Sequence, residues 1–483
     1  MTKKGLLLPF LLLCFVQFSV AQHVYCGQQR AMNNLADQIP SFKQAVQQTF
    51  AEAKRNAQTA TTSRSNEALQ VQVVVHVVHN TDIQNISDDL ITEQIAILNE
   101  DFQSLNADQA NARDIYKEIA GNANIEFVLA STDPDGNPTS GITRTATEVE
   151  TFVDLDLDLA TLLEAASECG LDFTCIQEKI LIGGLEENIE SGGVQMDDVK
   201  RSDRGGIDPW DTERYINIWV TNLNIDFLGQ SMPAILGFAY PPVGAPNWPD
   251  EVFAEDLSAI AGVVVHHEAF GKSNAGGGLL GNLADGGRTT THEMGHYFGL
   301  RHIHGDGGCG EDDGIADTPP ADASQQAQAD PNNLPVCEDL YSINTCPEDD
   351  RPDMVENYMD YNAITCQNLF TIEQVEIMRA MLQGPRAGLL GQQVSTSTAE
   401  EIAATQAFEV YPNPTTNTLN LSLDGYNLAD FDVRVQNILG ATVSVDVTKG
   451  NTQIDMSQLN GGIYLVNLIK ADLQIVKKVS VLN

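Results

Sequence analysis

Residues 289–306, with the sequence TTTHEMGHYFGLRHIHGD, constrain this chain more than any other segment. The segment contains four of the nine histidines present in 483 residues. His292 and His296 are four residues apart, so on a helix both imidazoles project from one face and can bind one metal ion. The spacing therefore predicts a metal-binding helix.

Three more residues extend this pattern. Glu293 points about 100° away from His292 on a helix of 3.6 residues per turn, so it can hold and deprotonate a metal-bound water. Gly299 allows the helix to end and the chain to turn, and His302 can then return as a third ligand. Three protein ligands and one open position suit catalytic zinc. His304 lies outside the spacing and is expected at the surface or outside the ligand shell.

The N-terminus predicts export. Residues 1–21 begin with lysines, continue as an apolar run and end in Ser-Val-Ala, which is typical of a secretory signal peptide. Of eight cysteines, Cys14 lies in this peptide and Cys26 stands alone. The other six imply up to three disulfides in an exported protein, and spacing alone leaves the pairing open. Cys169 and Cys175 are expected to bridge within a helical segment.

The spacing H-E-x-x-H-x-x-G-x-x-H is typical of metzincin proteases, which also need a methionine beneath the metal. The segment NYMDY, residues 357–361, supplies Met359 downstream of the predicted helix. Met359 is expected to form an apolar floor rather than to bind the metal. The phenol of Tyr361 is expected to stabilise the oxyanion of a tetrahedral intermediate.

Together these motifs resemble the pappalysin family of metzincins, in its compact bacterial branch. The likeness extends from about residue 70 to 382 through VVVHVVHN, YINIWVTNL, ILGFAYPP, RTTTHEMGHYFGLRHIHG, DGIADTPP, NYMDY and FTIEQVEIM. It implies an α/β (α+β) zincin domain with a mixed twisted sheet and an active-site helix. It also implies a zinc endopeptidase in which His292, His296 and His302 bind Zn²⁺ and Glu293 is the general base.

The resemblance makes further expectations downstream of the helix. The acidic segment CGEDDGIADTPP is similar to the calcium segment of the family, which implies Asp313, the Ile315 carbonyl and Thr318 as Ca²⁺ ligands. A loop of this composition can also be merely solvated. The segment NAIT, residues 362–365, lacks the carboxylates that favour basic substrate side chains in the family. The implied disulfides are Cys309–Cys346 and Cys337–Cys366.

Residues 22–64 are polar and glutamine-rich without a strand pattern, and are interpreted as a propeptide. Cys26, in YCGQQR, can bind zinc as a thiolate and hold the enzyme latent, in a way similar to zymogens of the family. The alternative is an incidental cysteine. The catalytic domain is expected at residues 65–390.

The C-terminal part follows a different pattern. After a polar linker at residues 391–405, residues 406–483 alternate with period two in short strands, which predicts an all-β sandwich. The segments YPNPTTNTLNL, LNGGIYLV and KKVSVLN resemble the C-terminal sorting domain of type IX secretion. This resemblance implies contact with outer-membrane secretion machinery and a secreted or cell-surface location. The alternative is a β-sandwich that binds carbohydrate or protein.

The charge balance limits the partners. With 67 acidic and 26 basic residues, a formal net charge of −41 argues against nucleic acid. No apolar run after the signal peptide is long enough to span a bilayer. We predict a secreted zinc metalloendopeptidase, made as a zymogen, that cleaves proteins or peptides. The alternatives are an exported adhesin or binding protein with a vestigial metal site, and a zinc hydrolase of non-peptide amides.

Overall fold

The structure is a computed structural model, and it describes most of the chain. The described residues are 25–27, 47–51, 53–55, 68–153, 196–227, 230–233, 235–241, 261–272, 286–305, 308–310, 313–322, 336–360, 366–390, 408–423, 427–437, 443, 445, 452–470 and 473–482. The signal peptide, the bridge Cys169–Cys175, the linker and Tyr361 fall outside them and stay predictions.

The part before residue 391 combines strands and helices. Its strands are β1 (Tyr25–Cys26), β2 (Leu69–His79), β3 (Ile125–Leu129), β4 (Ile142–Ala146), β5 (Ile216–Thr221), β6 (Asn224–Phe227), β7 (Gln230–Pro233), β8 (Ile235–Ala239) and β9 (Val263–His266). Its α-helices are α1 (Asp88–Phe102), α2 (Asp114–Lys117), α3 (Arg288–Tyr297), α4 (Cys337–Leu340) and α5 (Ile372–Gln383).

Strand β2 pairs with three other strands, β3, β4 and β5, in a seven-stranded mixed sheet. Its sequence LQVQVVVHVVH is a run of β-branched residues, and Val73, Val74 and Val75 are all fully buried. A strand buried on both faces is expected to be apolar at successive positions rather than at alternate ones. The order is β1-β8-β9-β5-β2-β3, with β4 also paired to β2. Every pair is parallel except β8 with β9. The predicted mixed sheet with a histidine helix is confirmed.

Helix α1 packs between the sheet and α3. Ser87 caps its N-terminus by accepting a hydrogen bond from the Leu90 amide, and Asp88 and Asp89 follow in the first turn, where the helix dipole favours negative charge. The apolar face of α1 buries Ile91, Ile95, Leu98 and Phe102, as their spacing predicts; α3 contacts α1, β8 and β9. The metal-binding helix is therefore fixed from two sides.

Strand β1 was not predicted, because the polar propeptide has no strand pattern. Cys26 pairs in parallel with Gly237 of β8, and the Gly27 amide donates to the Gly237 carbonyl at 2.7 Å. Two residues pair here through their backbones along the edge of an existing sheet, so no side-chain periodicity is needed.

The C-terminal part is all-β. One antiparallel sheet contains β10 (Phe408–Tyr411), β11 (Thr418–Leu423) and β13 (Gln453–Asp455), and another contains β12 (Asp432–Asn437), β14 (Gly462–Lys470) and β15 (Leu473–Val481). Residues of both sheets form one apolar core, including Leu421, Ile454 and Val466. The prediction of two packed sheets is confirmed. Across the described residues, no helix has both the length and the apolar character that a membrane span needs.

Candidate metal and catalytic site

Helix α3 ends where the sequence has a glycine, and this turn brings the third histidine back. Gly299 adopts a φ of 92°, a left-handed conformation that other residues resist. A Cβ at this position would also lie 2.7 Å from the Cε atom of Met381. The chain turns at Gly299, and His302 then faces the helix.

The imidazoles of His292, His296 and His302 converge through their Nε2 atoms. These atoms are 3.1 Å apart for His292 and His296, 3.2 Å for His292 and His302, and 2.9 Å for His296 and His302. The Nδ1 atom of His292 lies 2.6 Å from the Tyr358 carbonyl oxygen, and that of His296 lies 2.9 Å from the Leu300 carbonyl oxygen. A carbonyl only accepts hydrogen bonds, so Nδ1 carries the proton and the Nε2 lone pairs of these two rings point inward.

This donor set fits a zinc ion. In tetrahedral coordination with Zn–N bonds of about 2.0–2.1 Å, the ligand nitrogens are roughly 3.3–3.4 Å apart, only slightly more than the separations here. Burial holds the pKa of His302 well below its usual value, which favours the neutral form that binds metal. Among the described residues, these three histidines and Cys26 form the one group of His, Cys, Asp and Glu atoms close enough to hold an ion, within 4.8 Å of one another.

Glu293 is buried beside this group. Its side chain is 1% exposed, and burial raises the pKa of its carboxyl to about 8, while a hydrogen bond from Cys26 acts in the opposite direction. Removal from water disfavours the charged carboxylate, and a neighbouring cation favours it. The protonation state of Glu293 is thus sensitive to a charge bound by the histidines, which is what a proton-transferring group requires.

Gly237 is a site residue that the sequence reasoning missed. A Cβ at this position of β8 would lie 2.8 Å from the Cγ atom of Glu293 and 2.8 Å from the Val264 carbonyl oxygen. Only a glycine lets the strand approach Glu293 this closely. The available signal was a glycine inside the strand pattern ILGFA, which is typical of a close approach to another group.

Met359 packs against helix α3 at Gly295. It is fully buried, and a Cβ on Gly295 would lie 2.4 Å from its sulfur atom. Its backbone carbonyl accepts from the Ile303 amide at 3.3 Å, close to the third histidine. The segment that contains Met359 thus supports His292 through Tyr358 and the loop that carries His302.

Cys26 reaches the site from β1. Its sulfur donates a hydrogen bond to Glu293 Oε2 at 3.4 Å, and it belongs to the four-residue group that contains the three histidines. Cys26 is not in a disulfide. The N-terminal segment therefore places a potential metal ligand beside the three histidines and Glu293.

His304 is not at the surface. Its side chain is 1% exposed, and its ring stacks on that of His302 with centroids 5.0 Å apart and an interplanar angle of 17°. The surface alternative is wrong because the chain folds back after Gly299 and buries both rings. His304 packs behind a predicted ligand and does not belong to the converging group.

The acidic loop is compact. The Thr318 hydroxyl oxygen lies 2.9 Å and 3.0 Å from the carboxyl oxygens of Asp313 and 2.9 Å from the Ile315 carbonyl oxygen. The Ile315 amide donates to Asp313 at 2.9 Å, so the loop is closed on itself. The structure contains the two disulfides that the resemblance implies, Cys309–Cys346 and Cys337–Cys366.

Comparison with known proteins agrees with this geometry. Residues 200–383 match the family described as pregnancy-associated plasma protein-A. The structure is similar to that of a promirolysin variant from Tannerella forsythia, with 35% identity, coverage of 76% of this chain and 97% of that chain, and a TM-score of 0.54. The chain belongs to the pappalysin family of metalloproteases. This pappalysin also resembles mirolysin in complex with a compound, at 37% identity over 67% of this chain and 97% of that one, with a TM-score of 0.50.

Other relatives agree with secretion. An extracellular metalloprotease of Pyricularia oryzae is 27% identical over 270 residues, which are 54% of this pappalysin and 84% of the fungal protein. Residues 409–482 match the secretion system C-terminal sorting domain. The pappalysin is therefore a secreted or cell-surface protein, as the sequence predicts.

Proposed function

We propose that this pappalysin is a zinc-dependent endopeptidase made as a zymogen and exported by the type IX route. The observation that carries the proposal is the convergence of three histidine Nε2 atoms beside the buried carboxyl of Glu293. Because the family consists of metalloproteases, the proposed reaction is hydrolysis of peptide bonds. The three Nε2 donors fit one Zn²⁺ bound by His292, His296 and His302. Protein or peptide substrates and the outer-membrane secretion machinery are the proposed partners.

The chain's own residues divide the work of hydrolysis. His292, His296 and His302 would hold the zinc ion with one coordination position open, and the ion would there supply an acidified water and a polarised carbonyl oxygen. Glu293 takes the proton from the water that attacks the scissile carbonyl and delivers it to the leaving amine. Tyr361 is proposed to donate a hydrogen bond to the developing oxyanion. Met359 and Gly295 keep the floor of the site apolar and closely packed.

Latency is proposed to come from Cys26. Its sulfur lies within ligand distance of the histidine group and hydrogen bonds to Glu293, so it opposes both metal activation and proton transfer. Strand β1 also pairs with the edge of β8. An extended substrate that adds to this edge would need the same backbone groups. The proposed division of the chain is signal peptide 1–21, propeptide 22–64, catalytic domain 65–390, linker 391–405 and sorting domain 406–483.

Calcium is proposed to bind the acidic loop. The Thr318 hydroxyl oxygen lies 2.9 Å from an oxygen of the Asp313 carboxylate and 2.9 Å from the Ile315 carbonyl oxygen, and all three are of the hard type that Ca²⁺ prefers. The loop is next to the Cys309–Cys346 disulfide in sequence, so an ion there would stabilise the segment that follows the zinc site.

Metal removal tests the proposed function. The processed chain is expected to hydrolyse denatured casein, to lose this activity with dipicolinate, and to regain it when zinc is added in slight excess. Elemental analysis of the active protein should give one zinc per chain and calcium in addition. Full activity after complete zinc removal would contradict the proposal. Casein intact in the presence of folded, zinc-loaded protein would favour a binding role or cleavage of a non-peptide amide.

A further inference from the structure

A buried carboxylate on α1 is hydrogen bonded to two residues that adjoin or contact His292. Asp101 has a fully buried side chain. One of its oxygens accepts from the Tyr358 hydroxyl at 2.9 Å, and the other accepts from the Thr291 hydroxyl at 2.7 Å. Thr291 directly precedes His292, and the Tyr358 carbonyl accepts from His292 Nδ1. Thr291 and Tyr358 therefore link Asp101 to His292, a proposed metal ligand, the first through the chain and the second through a hydrogen bond.

An arginine completes this cluster and fixes the carboxylate. The Nε atom of Arg288, in the first turn of α3, lies 3.0 Å from Asp101 Oδ2. The same guanidinium donates to both oxygens of Asp108, each at 3.1 Å. A buried carboxylate is costly unless it is paired and hydrogen bonded, and Asp101 has one cation and two hydroxyl donors.

The contacts of α1 with α3 follow one face of α1. Gln94 lies seven residues, about two turns, before Asp101. Its amide nitrogen donates to the Gly287 carbonyl at 3.0 Å, and its amide oxygen accepts from the Gly271 amide at 2.7 Å. Gln94 thus holds the residue before α3, and Asp101 holds the turn that leads to His292. Gln94 and Asp101 are both buried, so they do not serve as solvated surface residues.

We propose that Asp101 is a positioning residue that sets the orientation of the His292 imidazole for zinc. The inference rests on the proposed function, because it requires His292 to be a ligand. Asp101 acts through Tyr358, whose carbonyl selects the Nδ1–H tautomer, and through Thr291, which fixes the rotation of the helix backbone. Partners outside the ligand shell commonly change metal affinity by about 10- to 100-fold when they are removed.

The test measures zinc affinity of the full chain by competition with a chromophoric chelator. Asp101→Asn keeps the size of the side chain but replaces an acceptor oxygen with a donor facing a hydroxyl or a guanidinium. We expect its zinc dissociation constant to rise by about 10- to 100-fold, and the visible absorption bands of the cobalt-substituted protein to change. Tyr358→Phe, which removes only the hydroxyl, should shift both readouts less and in the same direction.

Asp353→Asn is the matched control. Asp353 is also a buried carboxylate with hydroxyl and amide donors, but both donors belong to Thr345, which is not adjacent to any of the histidines in sequence. Both Asp-to-Asn variants should lower the Tm, and the control should keep the zinc affinity and cobalt bands of wild type. Unchanged affinity in Asp101→Asn and Tyr358→Phe would overturn the positioning role. If Asp101→Asn does not fold, Tyr358→Phe alone decides. Failure of wild type to bind one zinc would overturn the proposed function and the inference together.

Discussion

Replacing Glu293 with glutamine is expected to lower kcat/KM by roughly 10³- to 10⁴-fold, the upper part of the range for loss of a general base. This corresponds to about 4–5.5 kcal/mol of transition-state free energy. Glutamine preserves the size of the side chain and its fit against Gly237, but it cannot accept a proton. The measurement is the initial rate of hydrolysis of a fluorogenic peptide by the processed chain, together with zinc content.

Two results distinguish loss of chemistry from loss of structure. Glu293→Gln should retain one zinc per chain and a Tm at least as high as that of wild type, because the buried ionisable group is gone. Glu118→Gln, at an exposed position, is the matched control and should have wild-type kinetics. A Glu293→Gln enzyme that keeps a tenth or more of the wild-type rate would contradict the assignment of Glu293 as the proton carrier.

The second large effect is expected in the precursor. Cys26→Ala removes the sulfur that contacts Glu293 and approaches the three histidines, while the backbone pairing of β1 with β8 can persist. Leaving the buried carboxyl of Glu293 without this donor costs about 1–3 kcal/mol, which corresponds to roughly a 5- to 150-fold rise in the fraction of open precursor. The unprocessed variant should therefore cleave a short peptide faster than the unprocessed wild type by that factor.

The precursor experiment needs initial rates, because a more active precursor can also process itself sooner. Gel analysis at each time point gives the fraction that remains intact. Gln47→Ala, an exposed substitution in the same N-terminal region, is the control and should leave latency unchanged. Equal rates for intact wild type and intact Cys26→Ala would show that latency does not depend on the thiol and would leave strand pairing as its cause.

The parts of the site that depend on local geometry were predictable from the sequence. A spacing of four places His292 and His296 on one helical face, and Gly299 marks the turn that returns His302. These relations are contained within about one and a half turns of helix and a tight turn, so no distant contact is needed to infer them. The run of β-branched residues at 69–79 likewise indicates a strand from local sequence alone.

The remaining features depend on contacts between distant segments. Asp101 lies 190 residues before Thr291 in the chain, and Gly237 meets Glu293 only after the sheet has formed. The pairing of Cys26 with β8 uses backbone groups, which leave no residue pattern. His304 was expected at the surface or outside the ligand shell because its spacing differs from that of the ligands, and spacing contains no information about burial.

Anomalous scattering at the zinc absorption edge, measured on crystals of the zinc-loaded chain, tests the central claim most directly. One strong peak is expected at about 2.0–2.1 Å from the Nε2 atoms of His292, His296 and His302. A zinc ion bound elsewhere in an active crystal, with no peak between these three nitrogens, would contradict it.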